Sequence, residues 1–106
     1  MDKSSVVRTL ARFRASLEEK GISVHKMILY GSYARGNYGE DSDIDVVVLS
    51  HSFSDKDLWM RIDMLTPALI AFDEPIEAIA LTPEEWEKEE SLIILYAKEG
   101  EVVYAA

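Results

Sequence analysis

Apolar residues recur at spacings of four, three and four in two stretches, Val6-Leu10-Phe13-Leu17 and Leu58-Ile62-Leu65-Leu69. That rhythm puts each set on one stripe of a helix. The first stripe predicts a helix from Ser4 or Ser5 to Lys20, stopped by Gly21, with Arg8, Arg12 and Arg14 off the stripe. The second predicts a helix starting at Ser54, with Asp55 and Asp57 in its first turn, where carboxylates favour the dipole. Pro67 falls inside that stripe and predicts a break or kink near Thr66. Between the two, Val24–Tyr30 reads as a strand whose last four residues are continuously apolar, as in a strand covered on both faces. Gly31-Ser32 breaks it, and Tyr33 to Gly36 forms a short turn or the first turns of a helix. A polar loop, Asn37–Ser42, leads to a second strand, Asp43–Leu49, rich in Val and Ile. Pro75–Leu81 is a third strand, apolar except for Glu77. Thr82, Pro83 and Glu85 spell a capping box, opening a helix that runs to about Lys98 and ends at Gly100. Glu101–Tyr104 can add a last strand. This order predicts one α/β (α+β) domain over residues 1–106: a mixed sheet of about four strands with helices packed on it.

Composition narrows the class. The chain has 106 residues, 48% hydrophobic and 29% charged, enough for one core and against general disorder. No apolar run approaches the ~20 residues of a membrane-spanning helix. Met1-Asp2-Lys3-Ser4-Ser5 lacks a signal peptide's apolar region, so the cytoplasm is the expected location. The absence of cysteine excludes disulfides and thiolate metal sites. Eleven basic against 20 acidic residues, a net charge of -9, argue against general nucleic-acid binding, which needs a basic footprint. The imbalance is polarised: residues 1–36 hold seven basic and three acidic side chains, residues 37–106 four and 17. A basic segment joined to an acidic remainder can bind a polyanion beside a metal cluster. Solvated acidic helices are the simpler account of the bulk charge.

The chemistry concentrates in Leu29-Tyr30-Gly31-Ser32-Tyr33-Ala34-Arg35-Gly36 and Asp43-Ile44-Asp45-Val46. On a strand, Asp43 and Asp45 project from the same face, their backbones about 7 Å apart. Side-by-side carboxylates repel unless a cation lies between them, and they suit Mg²⁺, which binds few carboxylates plus substrate phosphates. Gly31 lets the backbone approach a ligand closely. Ser32, at a helix start, offers its hydroxyl and N–H groups to phosphate oxygens, and Arg35 can fork onto a phosphate. Taken singly, these fragments also fit an acidic strand edge, a capped turn and an exposed arginine. His25 and His51 are too isolated along the chain to form a site. Trp59 and Trp86 read as anchors of a core or an interface, and Arg8 and Arg12 as a solvated helix face.

In combination, Gly31-Ser32, ten further residues, then Asp43-Ile44-Asp45 resembles the signature of the DNA polymerase beta nucleotidyltransferase superfamily. Tyr33-Ala34-Arg35-Gly36 and Ser42 extend the likeness to its minimal nucleotidyltransferase branch. The resemblance implies a third carboxylate on a neighbouring strand, usually aspartate. Glu77 fills that slot here, with Asp73 and Glu74 as fallbacks in the preceding turn. It implies two Mg²⁺ ions held by Asp43, Asp45 and Glu77, and ATP held through Gly31, Ser32 and Arg35. It further implies transfer of AMP to a hydroxyl, a tyrosine's, of a small helical HEPN-type toxin, with this chain as the antitoxin in a homo- or hetero-oligomer. The substitution of glutamate for aspartate keeps a second reading open, a nucleotide- or toxin-binding module with little transfer. Small-molecule acceptors, as in antibiotic nucleotidyltransferases, are a third.

Overall fold

The computed structural model describes residues 1–106. The helices are α1 (Lys3–Glu19), α2 (Ser32–Arg35), α3 (Leu58–Leu69), α4 (Pro83–Lys88) and α5 (Leu92–Ala97). The strands are β1 (Lys26–Tyr30), β2 (Ile44–Leu49), β3 (Ile76–Leu81) and β4 (Glu101–Ala105). They form one sheet in the order β3-β2-β1-β4. β1 is antiparallel to β2 and β4, and β2 is parallel to β3, so the sheet is mixed, as expected.

Period-two alternation sorts the strand residues between two faces. Met27 and Leu29 of β1 and Ile44, Val46 and Val48 of β2 pack under α1 and α3 with Val6, Leu10, Phe13, Leu17, Leu65 and Ala68. Ile28, Tyr30, Val47 and Leu49 face the other way and meet Trp86 of α4 and Ile94 and Ala97 of α5. Both central strands are therefore buried on both sides, which is why they read as unbroken apolar runs.

Several expectations need correction. The first strand begins at Lys26 rather than Val24. The third helix begins at Leu58, because a 3-10 turn, His51–Phe53, comes first and buries Phe53. Asp57 is the N-cap, accepting from the Met60 N–H, and Asp55 adopts a left-handed φ of 61° outside the helix. Pro67 breaks nothing: α3 runs through it to Leu69. Proline removes one donor from the last turn, and the Thr66 hydroxyl donates at 2.7 Å to the Ile62 carbonyl. The stripe on α3 is only half buried, Leu65 lying in the core while Leu58 and Ile62 are exposed. Trp86 is in the core, whereas Trp59 stands in solvent. The capping box forms as read, but its helix is two helices. Glu89 turns left-handed at φ 52°, and Ser91 caps a new start by accepting from the Ile94 N–H. Splitting there lets Trp86, Ile94 and Ala97 all reach the sheet.

Arg61 ties three elements together. It donates to the Lys56 and Ala80 carbonyls and, through two nitrogens at 2.7 and 3.2 Å, to both oxygens of Glu85. Burial alone would raise the Glu85 carboxyl, but the Arg61 and Thr82 hydrogen bonds outweigh it and hold the group below its usual value. Arg61→Met keeps the bulk but loses these bonds. It is expected to cost about 2 kcal/mol, read as a lower urea midpoint at unchanged slope.

Candidate active site

α2 is a single turn placed by one anchor. Tyr33 is buried and stacks on Tyr38 with ring centroids 4.6 Å apart, which leaves Ser32 half-buried and Arg35 exposed. Gly31 precedes the turn at φ 76°, ψ -152°. This is backbone space that only glycine occupies without strain. It is also a tight fit, because a Cβ built on Gly31 would overlap the Asp45 Oδ2. The glycine thus brings the start of α2 directly onto the Asp45 carboxylate.

Asp45 is the second residue of β2 and Asp43 lies just before the strand. Tyr30 on β1 and Glu77 on β3 are its direct cross-strand partners, and all three point to the face covered by α4 and α5. Ile76 and Ala78, on either side of Glu77, pack into the core on the opposite face. The Glu77 carboxyl lies within reach of both the Asp45 and the Asp43 carboxyl, and Asp43 and Asp45 feel each other's charge. The structure therefore brings Gly31, Asp43, Asp45 and Glu77 together, with Ser32 next to Gly31 and Arg35 at the far end of α2, over the Tyr96 ring of α5. The fallbacks are elsewhere: Glu74 accepts from Thr9 and Arg12 of α1, and Asp73 is exposed in the preceding turn.

The electrostatics reflect this crowding. Burial raises the Asp45 carboxyl, and Asp43 adds to the rise, while a hydrogen bond with Glu77 opposes it. Glu77 is raised chiefly by the charge of Asp43, then by burial and by Asp45. Tyr30 is pushed up to about 12 by burial and by the neighbouring Asp45 and Glu77. Three mutually repelling, oxygen-only donors suit a hard divalent cation. No three His, Asp or Glu groups form a ready-made metal cage. Mg²⁺ does not need one, since it keeps water and substrate phosphates among its ligands. The donor chemistry fits Mg²⁺ held by Asp43, Asp45 and Glu77 and completed by a nucleotide's phosphate oxygens.

The largest hollow, about 460 Å³, lies elsewhere, between α3, β3 and α4, lined by Leu58, Ile62, Leu65, Leu81, Arg61 and Glu85. Its walls are mainly apolar, and Asp43, Asp45 and Glu77 are not among them. His25 and His51 are not isolated in space, with ring centroids 5.9 Å apart, yet they lie at the end of β1 and β2 away from the carboxylates. The sequence reading missed Tyr96. It lies on α5 and packs edge-on against Tyr30, with the Arg35 guanidinium over its ring. Nothing in local spacing links residues so far apart.

Comparison with known proteins agrees with this geometry. A protein from Methanocaldococcus jannaschii, provisionally named a protein adenylyltransferase, is 40% identical over 65 residues, 61% of this chain and 61% of that protein. The chain thus matches less than two thirds of that relative's length. The structure of a protein from Sulfolobus solfataricus, provisionally named a nucleotidyltransferase, superposes with a TM-score of 0.73 at 16% identity, covering 94% of this chain and 80% of the other. A chain from the complex of a tri-AMPylated Shewanella oneidensis HEPN toxin with its MNT antitoxin superposes with a TM-score of 0.57 at 16% identity, covering 98% and 73%. At such identities these two likenesses speak for the fold alone. No helix is long and apolar enough to cross a membrane. The model of the nucleotidyltransferase domain family matches residues 10–103, nearly the whole chain and every residue of the carboxylate site, and it is to this family that the chain belongs.

Proposed function

We propose that this chain transfers AMP from ATP to a tyrosine hydroxyl of a HEPN-type toxin in the cytoplasm, and so acts as its antitoxin. The observation that carries the reading is the meeting of Asp43, Asp45 and Glu77 on one sheet face, with Gly31 packed on Asp45. The family supports nucleotidyl transfer, and the fold likeness to an MNT antitoxin complexed with an AMPylated toxin supports the partner. Two Mg²⁺ ions, held by Asp43, Asp45 and Glu77, would supply charge neutralisation at the phosphates and a lowered pKa at the acceptor hydroxyl.

The chain's own residues supply the rest. Backbone N–H groups at the start of α2 and the Ser32 hydroxyl bind the triphosphate, and Arg35 adds a positive charge there. The acceptor oxygen forms a bond to the α-phosphorus as the bond to the bridging oxygen breaks. Pyrophosphate leaves with that electron pair, and the acceptor's proton passes to a Glu77 carboxylate oxygen.

The test is to incubate the chain with a HEPN-type partner, Mg²⁺ and ATP labelled at the α-phosphate. Label on a partner tyrosine with matching release of pyrophosphate is expected, and no label from γ-labelled ATP. Glu77→Gln should lower transfer about 100-fold while ATP affinity changes less than about threefold. Glu77→Asp should retain or raise transfer, because aspartate is the residue the resemblance implies there. A binding module with little transfer is the second reading. It draws on the longer Glu77 side chain and on the lack of a preformed three-ligand cage. ATP binding and toxin neutralisation without label transfer would establish it.

A further inference from the structure

Arg35 sits at the C-terminal end of a one-turn helix, exposed, and it takes part in none of the chain's ion pairs. A free arginine in that position would sweep through solvent. Instead its guanidinium carbon lies 5.5 Å from the centroid of the Tyr96 ring. Tyr96 is fixed in turn. It meets Tyr30 edge-on, with centroids 5.8 Å apart and planes at 85°, and Tyr30 is the cross-strand neighbour of Asp45. Gly31, Ala34, Arg35, Tyr96, Glu99 and Gly100 line one small hollow beside the start of α2. The contacts therefore run from the Asp45 carboxylate through Tyr30 and Tyr96 to Arg35, and return to Asp45 through Gly31.

We propose that Tyr96 is a positioning residue that aims the Arg35 guanidinium at the phosphates of the nucleotide. The inference rests on the function proposed above. Its physical logic is a choice between two ways of holding an arginine. Glu99 lines the same hollow and makes no ion pair with Arg35. A carboxylate clamp would use the guanidinium's N–H donors and cancel the charge a triphosphate needs. An aromatic face attracts the cation through its quadrupole and leaves those in-plane donors free. The ring thus reduces the orientational freedom of Arg35 before the ligand arrives, without competing with it. Tyr96 is exposed at 37% and belongs to α5, so this residue gives the split between α4 and α5 a use beyond packing: α5 sets a ring under the Arg35 guanidinium.

The test is a double-mutant cycle on ATP affinity, measured by calorimetry in Mg²⁺ with the full chain. Tyr96→Leu should weaken ATP binding about two- to fivefold, the range of an exposed cation–ring contact. Tyr96→Phe, which keeps the ring, should restore wild-type affinity. In an Arg35→Ala background, Tyr96→Leu should have no further effect. Melting temperatures within a few degrees of wild type establish that every variant is folded. Should Tyr96→Leu destabilise the chain, the Phe variant and the side-chain NMR shift of Arg35 decide, since a ring-current shift present in wild type and Phe and lost in Leu reports the contact directly. Equal loss in both backgrounds, a Phe variant as weak as Leu, or unchanged affinity in Tyr96→Leu overturns the role of Tyr96 alone. Failure of the wild-type chain to bind ATP overturns the proposed function and this inference with it.

Discussion

Replacing Asp43 and Asp45 together by asparagine is expected to abolish Mg²⁺-dependent ATP binding and to lower any transfer by at least 100-fold, while the melting temperature without metal rises. The first effect follows from removing the two formal charges beside the turn at Gly31, where the proposed function places the phosphates. The second follows from linkage. Both Asp45 and Glu77 have carboxyls raised above their ordinary 3.8 and 4.5 in the folded chain, Asp45 by burial and then by the charge of Asp43, Glu77 by the charge of Asp43, then by burial and by Asp45. A group with a raised folded pKa binds protons more tightly when folded, so its contribution to stability is present at low pH and fades as pH climbs through the folded value. At neutral pH the wild-type site is therefore a destabilising cluster. The double variant should flatten that part of the pH–stability curve above pH 4, and Mg²⁺ should stabilise wild type but not the variant. Calorimetry in Mg²⁺ and thermal melts from pH 4 to 8 check both. Unchanged nucleotide affinity would remove Asp43 and Asp45 from the site.

Gly31→Ala is expected to cost about 2–4 kcal/mol of stability and to abolish ATP binding by the fraction that stays folded. Two independent terms add. The backbone at φ 76°, ψ -152° is strained for any residue with a Cβ, by about 1–3 kcal/mol. The new methyl would also overlap the Asp45 carboxylate, so that side chain must turn away from the site. From sequence alone the glycine reads as a residue that spares room for a phosphate. The structure adds that the room belongs first to Asp45, which is why stability falls along with binding. Gly36→Ala is the control. It too has a positive φ, 84°, but a Cβ there meets nothing, so the loss should be nearer 1 kcal/mol with ATP binding retained. Melts of the two variants side by side measure the difference.

What was legible in the sequence followed from period and local chemistry. Asp43-Ile44-Asp45 and Ile76-Glu77-Ala78 each alternate in a way that admits one assignment of faces, and the strand order then sets Glu77 opposite Asp45. The Thr82 capping box was readable because its donors and acceptors are three residues apart. Features decided by tertiary contact were not. The late start of α3 depends on Phe53 reaching the core through a 3-10 turn, and the break at Glu89 on packing against a sheet formed from distant residues. Pro67 reads as a breaker because its missing donor is visible in the sequence, whereas its place in the last turn of α3, three residues before the helix gives way at Ile70, is set only by the folded chain. Tyr96 approaches Arg35 only because α5 docks on β1.

The placement of the carboxylates on strands of different rank has a dynamic consequence. Asp45 rides on β2, bonded to a neighbour on each side and flanked by Ile44 and Val46, both fully buried. Glu77 rides on β3, an edge of the sheet whose own residues are at best half-buried. Backbone amides of Val46 to Val48 should exchange with deuterium only through global unfolding, whereas those of β3 can exchange by local opening of the edge. The two halves of the site then fluctuate on separate timescales: a permanent floor at Asp45, and a wall at Glu77 that a bound nucleotide or protein partner can slow.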